Sequence, residues 1–178
     1  MNQNLRRLQH AIAATTQTMS AGDLEWRPAA GRWSSAEILE HLNLTYIGTV
    51  RNFDRSLQAG RPLGSTPTLN ERLRAMLVVD LGYLPPGRKA SKPTIPSGKP
   101  AVQVLSEIET NISTMDRVLE ESTARFGKKT LIASHPILGP LRVSQWCKFH
   151  WVHGRHHLKQ ILRLRDERAR GPSALLAN

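Results

Sequence analysis

The stretch WCKFHWVHGRHHLKQILRL, residues 146–164, decides how the chain folds. Successive residues of an α-helix are about 100° apart. One side of this segment therefore repeats at intervals of four, three, four, three and four residues. The side consists of Trp146, His150, His153, His157, Gln160 and Leu164. A continuous stripe of this kind is the face that a helix turns toward its neighbours, so the pattern predicts a long packed helix from about residue 144 to 170, stopped by a Gly-Pro pair.

Three further long helical patterns precede this segment, over about residues 2–19, 34–58 and 101–125. Each repeats its apolar residues at intervals of three and four, as a helix does that packs along one side. The start of the second helix can be placed most precisely, because Ser34 and Glu37 are three residues apart and form a capping-box pattern. The chain thus predicts four long helices.

A long crossover, about residues 59–99, separates the second and third long helices. It contains a shorter helical pattern over about 69–81, opened by a second capping box from Thr68 and Glu71. A Pro-rich stretch, 82–100, follows it. These features predict an all-α fold: a single domain, 1–178, built as a four-helix bundle with one long crossover that contains a short extra helix. The segment LIASHPILGPL, residues 131–141, is expected to be an apolar connector that packs on the bundle.

Composition limits the classes of function. The chain has 25 Lys and Arg against 14 Asp and Glu, a formal charge of +11, which favours anionic partners. The basic residues are dispersed and do not alternate with aromatic residues, so nucleic-acid binding is not favoured. No apolar run of about 18 residues occurs, and a transmembrane helix is not expected. A single cysteine, Cys147, excludes an internal disulfide, and we expect a cytoplasmic protein.

Two histidines of the last helix have the spacing of metal ligands. His153 and His157 are one turn apart on the same face, as are the two histidines of the zinc-binding H-E-x-x-H helix. The second long helix offers His41 on its apolar side, and the three side chains converge if the two helices are neighbours. The competing interpretation is a set of hydrogen-bonded core histidines. Two buried imidazoles one turn apart are costly when unpaired, and this cost favours a metal.

Other polar residues near this trio have less defined roles. His150 lies one turn before His153 and is expected to be an outer partner, and Gln160 is expected to contact His157 from the outer shell. His156 is about 100° from His157 and too far round the helix to share a metal. Glu40 is expected to point elsewhere on its helix. The connector histidine, His135, is expected to be a structural or surface group.

The order of motifs along the chain resembles the DinB-like (YfiT-related) superfamily. Its pattern W-x-P, G-x-W-S and E-x-x-E-H-L is followed by HPILGPL and H-x-x-x-H-x-x-Q-I. The matching residues are Trp26, Pro28, Trp33, Ser34, Glu37, Glu40, His41 and Leu42, then His135, Pro136, Gly139, Trp146, Phe149, His153, His157, Gln160 and Ile161. The resemblance implies a four-helix bundle and a divalent metal on three histidines, which carry over to His41, His153 and His157. It also implies zinc, nickel or a similar ion, a homodimer, and transferases that use low-molecular-weight thiols.

Two functional hypotheses follow. In the first, the protein is a metal-dependent enzyme whose zinc, nickel or iron activates a thiol or water, in an S-transferase-type or hydrolase reaction on a small-molecule substrate. In the second, it is a non-catalytic metal-binding or stress-response bundle with a basic surface for anionic partners. A coordination position that solvent can reach favours the enzyme, whereas a metal sealed beneath side chains favours the structural role.

Overall fold

The structure, a computed structural model, describes residues 1–85, 87 and 89–171. Pro86 and Arg88 of the predicted crossover, Pro172 of the predicted helix stop and the rest of 172–178 lie outside the described residues. Most of the described chain is helical. The α-helices are α1 (Gln3–Thr16), α2 (Ala21–Glu25), α3 (Ser35–Gln58), α4 (Leu69–Ala75), α5 (Ala101–Phe126) and α6 (Val143–Arg170).

The four long helices, α1, α3, α5 and α6, pack against one another around a common core. Helix α3 lies against both α5 and α6, and α1 lies mainly against α6. Their inward faces supply most of the core, with fully buried side chains such as Leu8, Leu42, Ile112 and Ile161. This confirms the expected, mostly helical fold and makes α3 and α6 the neighbours that the predicted histidine site requires.

The predicted start of α3 is confirmed in atomic detail. The backbone N–H of Glu37 donates to Ser34 Oγ at 3.1 Å, and the backbone N–H of Ser34 donates to Glu37 Oε2 at 2.9 Å. Two backbone donors that a helix start leaves free are thereby satisfied. Arg27 adds a bidentate ion pair to the same Glu37 carboxylate. The first turn of α3, the helix that carries His41, is therefore firmly held.

Three local expectations need correction. The first helix ends at Thr16 instead of continuing to 19, because Ser20 begins the separate short helix α2 with its own capping box. The short crossover helix is α-helical only to Ala75 and continues as one π-helical turn, Met76–Asp80. A 3₁₀ turn, Lys92–Thr94, lies further along the crossover.

The third correction concerns the connector, which is a β-hairpin packed on the helices. Strands β1 (Leu131–His135) and β2 (Gly139–Arg142) pair antiparallel. The turn between them is closed by His135, whose Nδ1 accepts the backbone N–H groups of Ile137 and Leu138. Gly139 has a φ of +74°, a conformation that L residues with a side chain rarely adopt. His135 is therefore structural, as expected.

Within the part of the chain that the structure describes, no helix has the length and apolar content needed to cross a membrane. The longest helix, α6, ends at Arg170 with Gly171 as its C-cap.

Candidate metal centre

Three histidine side chains from two helices meet in the interior. His153 Nε2 lies 3.0 Å from His157 Nε2 and 3.4 Å from His41 Nε2. One potential ligand atom from each of the three residues lies within 4.8 Å of the others, close enough to hold one metal ion. The convergence follows from the one-turn spacing on α6 and from the packing of α3 beside it.

The orientation of His41 is fixed from outside the trio. Its Nδ1 lies 2.7 Å from the backbone carbonyl oxygen of Thr94. A carbonyl can only accept, so Nδ1–H of His41 donates and Nε2 carries the free lone pair. That lone pair faces the other two imidazoles. A backbone carbonyl in this position is a common partner of a metal-binding histidine.

His157 is oriented in the same way by a side-chain amide. Its Nδ1 lies 2.8 Å from Gln160 Oε1, and Gln160 Nε2 lies 3.2 Å from His156 Nε2. With this amide orientation Gln160 accepts from His157 Nδ1–H, and the His157 Nε2 lone pair turns inward. Gln160 therefore makes the expected contact, while its role as outer partner of a metal ligand stays a prediction. His156 does not join the trio, but it contacts the trio's partner Gln160.

The third histidine, His153, lies between the other two and has no hydrogen-bond partner outside the trio among the described residues. Its ring stacks on Phe149 at 5.3 Å between centroids, and its Nδ1 is buried with no hydrogen-bond partner among the described residues. The imidazoles of His41 and His157 both point lone pairs at His153 Nε2. A single N–H there can serve only one of them, so the arrangement leaves at least one buried lone pair without a proton.

Burial keeps the trio neutral. Desolvation lowers the pKa of His41, lowers that of His157 to about 3, and holds that of His153 well below its ordinary range. Repulsion between the imidazoles adds to this effect at His153 and His157. All three are therefore in the deprotonated form that a metal binds. His41 and His153 are only 6% and 8% exposed, whereas His157 is partly exposed.

Sequence reasoning missed the role of Glu40, which was expected to point elsewhere. Its carboxylate is 1% exposed and accepts four hydrogen bonds from Ser97 N, Ser97 Oγ, Gly98 N and Lys99 N, at 2.6–3.0 Å. Burial acts to raise the pKa of Glu40, but the hydrogen bonds outweigh it and the pKa is lowered. Glu40 and His41 thus hold adjacent parts of the crossover. The signal available in the sequence was the Ser-Gly-Lys turn, whose successive N–H groups suit a carboxylate.

His150 was expected to be an outer partner of the trio, and the structure places it elsewhere. Its Nε2 lies 2.9 Å from Thr49 Oγ1, and its ring meets Tyr46 edge to face. The reason is its position one turn before His153, where α3 presents Thr49 and Tyr46 instead of His41. It does not hydrogen-bond to any of the three converging histidines.

The fold and site together define a class: a mostly helical protein with three converging, neutral histidines. The chain belongs to the family described as a protein of unknown function, DUF1569, whose model matches residues 2–163. The matched range includes all three histidines and Gln160. Neither the search of curated proteins nor that of solved structures found a match.

Proposed function

We propose that the protein is a metal-dependent enzyme in which His41, His153 and His157 hold one divalent metal. The observation that supports this most directly is the inward direction of two lone pairs. Thr94 and Gln160 accept the Nδ1 protons of His41 and His157, so both Nε2 atoms face the same point beside His153. A cation at that point would satisfy lone pairs that the protein leaves without a proton.

The donor set fits a first-row divalent metal. Three neutral imidazoles suit zinc, nickel or iron, and imidazole ligation does not select among them. Three protein ligands are the usual number for a catalytic metal site, which keeps a further position for water or substrate. His157 is the most exposed of the three, so a small molecule is expected to approach from its side.

The chemistry that such a metal supplies is Lewis acidity, which lowers the pKa of a coordinating thiol or water. The protein's own residues supply orientation and shielding. Thr94 and Gln160 fix the imidazole planes, and the rings of Trp33 and Phe149 lie against His41 and His153, at 5.4 and 5.3 Å between centroids. These apolar neighbours limit access of water to the cluster.

The proposed reaction is of the thiol S-transferase type, with a low-molecular-weight thiol as one substrate and hydrolysis as the close variant. It rests on the resemblance to the DinB-like superfamily, which also implies a four-helix bundle and a homodimer; the long crossover within that bundle is proposed from the sequence pattern of this chain. The mutual packing of α1, α3, α5 and α6 supports that architecture. A cytoplasmic location belongs to the same proposal.

A non-catalytic metal-binding or stress-response protein is the second candidate. The observation in its favour is the deep burial of His41 and His153, since a metal enclosed by side chains stabilises a fold without reaching a substrate. The basic surface would then serve anionic partners.

The test is an activity screen of protein loaded with zinc, nickel or iron. Each metal form is incubated with a panel of small thiols and electrophiles, and with esters for hydrolysis, while thiol consumption and product are followed by mass spectrometry. We expect turnover that His153→Ala abolishes and that the exposed variant His10→Ala retains. Full metal occupancy without turnover on any pair would support the non-catalytic protein instead.

A further inference from the structure

A second feature of α6 lies on the side away from α3, where the crossover passes the helix. Residues 82–84 and the helix residues Val152, Arg155, His156 and Lys159 line a surface cavity of about 170 Å³. One water molecule needs roughly 10–15 Å³ of such space, so the cavity has room for a polar group of several heavy atoms. It is smaller than the roughly 300–1,000 Å³ typical of pockets that enclose a whole drug-sized ligand.

The cavity concentrates positive charge. Arg155 and Lys159 are one turn apart on α6, both exposed, and among the described residues neither forms an ion pair with a carboxylate. Like charges at this spacing repel and destabilise a helix. A bound anion would offset that repulsion, and the net charge of +11 would raise the local concentration of anions.

The crossover is shaped to hold the guanidinium of Arg155 at this cavity. Arg155 Nη2 lies 3.5 Å from the carbonyl oxygen of Gly82. Gly82 has a φ of +69°, and a Cβ there would lie 3.3 Å from Arg155 Nη2. A glycine at this position therefore permits both the backbone conformation and the close approach of the guanidinium.

We propose that this cavity binds a small anionic group, a phosphate or a carboxylate, between Arg155 and Lys159. The planar guanidinium can form a bidentate contact with either group, and the lysine supplies a point charge. The cavity is also linked to the histidine trio, because His156 in its wall accepts the amide of Gln160, which in turn accepts from His157. The anion site does not rest on the proposed function.

The test uses metal-free, full-length protein titrated with inorganic phosphate or acetate at constant ionic strength. Affinity is measured by calorimetry, and the site is mapped by ¹H–¹⁵N chemical-shift changes. We expect saturable binding with shifts concentrated at Gly82, Tyr83, Arg155 and Lys159. A preference for phosphate beyond that expected from its higher charge favours a phosphoryl group at this cavity, and a preference for acetate favours a carboxylate.

Two matched variants distinguish binding in this cavity from non-specific attraction of anions to the basic surface. R155Q/K159Q is expected to weaken binding at least tenfold. The control R51Q/K129Q removes the same charge from exposed positions outside the cavity and is expected to change affinity less than twofold. Equal losses in the two variants, or shifts spread over the whole basic surface of the unmutated protein, would overturn the anion site. His153→Ala is expected to lose metal but retain phosphate binding, so failure of the metal proposal is distinguishable.

Discussion

Two groups of histidines lie one turn apart along the inward face of α6: the converging trio and His150 alone. His153 and His157 meet His41 of α3, and their Nε2 atoms converge. His150 belongs to the same stripe, yet it meets Thr49 and Tyr46 and no second histidine. His150 and His153 share residue type, helix and burial, so these properties do not decide which histidines can bind a metal.

What differs is the group that meets Nε2 of each buried ring on α6, since His150 and His153 both leave Nδ1 without a partner among the described residues. His41 and His157 donate Nδ1–H to Thr94 and Gln160, which turns their lone pairs inward. His150 instead uses Nε2 on a hydroxyl and leaves Nδ1 buried without a partner among the described residues. His153 is a candidate ligand because the oriented lone pairs of two neighbouring histidines meet its Nε2, and no such lone pairs meet His150.

The largest expected effect is loss of metal. Elemental analysis of protein purified without chelator should find about one divalent metal per chain, and His153→Ala or His41→Ala should remove it, because two imidazoles make a weak site. His150→Leu is the matched control and should retain full occupancy. Metal retained in His153→Ala, or lost in His150→Leu, would remove the distinction between the two groups.

The next effect is on the stability of the fold and concerns Glu40, the residue before His41 on α3. Glu40→Gln places an amide donor against backbone N–H groups that now donate to a carboxylate, so we expect the free energy of unfolding to fall by about 3 kcal/mol. Urea unfolding of the metal-free protein measures it. Glu109→Gln, an exposed position on α5, should cost less than about 0.5 kcal/mol. Similar values for the two variants would show that the Glu40 contacts contribute little.

A smaller effect is on the pH dependence of stability, to which the protonation of His150 contributes. Burial lowers its pKa to about 3, so the unfolded chain, with a histidine pKa of about 6.5, binds the proton first as pH falls. Stability is therefore fully present above about pH 6.5 and is lost progressively toward pH 3. At pH 5 this histidine alone lowers the free energy of unfolding by about 2 kcal/mol.

His150→Leu should remove that contribution from the metal-free protein. The difference in unfolding free energy between pH 7 and pH 5 should shrink by about 2 kcal/mol. Ile112→Val trims a fully buried side chain of α5 that does not titrate, so it should lower stability equally at both pH values. An unchanged pH dependence in His150→Leu would mean that this imidazole is protonated alike in the folded and unfolded chains.

The smallest effect is expected from the outer partner Gln160. Gln160→Leu removes the acceptor of His157 Nδ1–H and should weaken metal affinity by about tenfold, in line with other outer-shell partners. Gln160→Glu keeps an acceptor oxygen and should retain most of the affinity. Competition with a chromophoric chelator gives the metal dissociation constants of both variants. Equal weakening in the two variants would assign the effect to packing and not to orientation of the imidazole.

Local patterns explain why parts of this molecule were predictable from sequence. The start of α3 follows from Ser34 and Glu37, which are three residues apart, and the shared face of His153 and His157 follows from helical geometry alone. The convergence with His41 needed only the further assumption that α3 and α6 are neighbours, which the structure bears out.

The features that sequence reasoning missed depend on contacts between distant segments. Glu40 binds a turn 57 to 59 residues further along the chain, and His41 binds a carbonyl 53 residues away. The β-hairpin contains Pro140, a residue typical of loops, which is tolerated because the sheet has two strands and each is an edge. None of these contacts follows from a periodic pattern.

The hydrogen bonds between residues 97–99 and the Glu40 carboxylate also have a consequence for local opening of the chain. Residues 97–99 have no regular secondary structure, and loop amides usually exchange rapidly with solvent. Here the amides of Ser97, Gly98 and Lys99 all donate to one buried carboxylate. In a deuterium-exchange experiment we expect these three amides to be protected together with α3, and Glu40→Gln to release them as a unit. An irregular loop would then share the opening equilibrium of a helix.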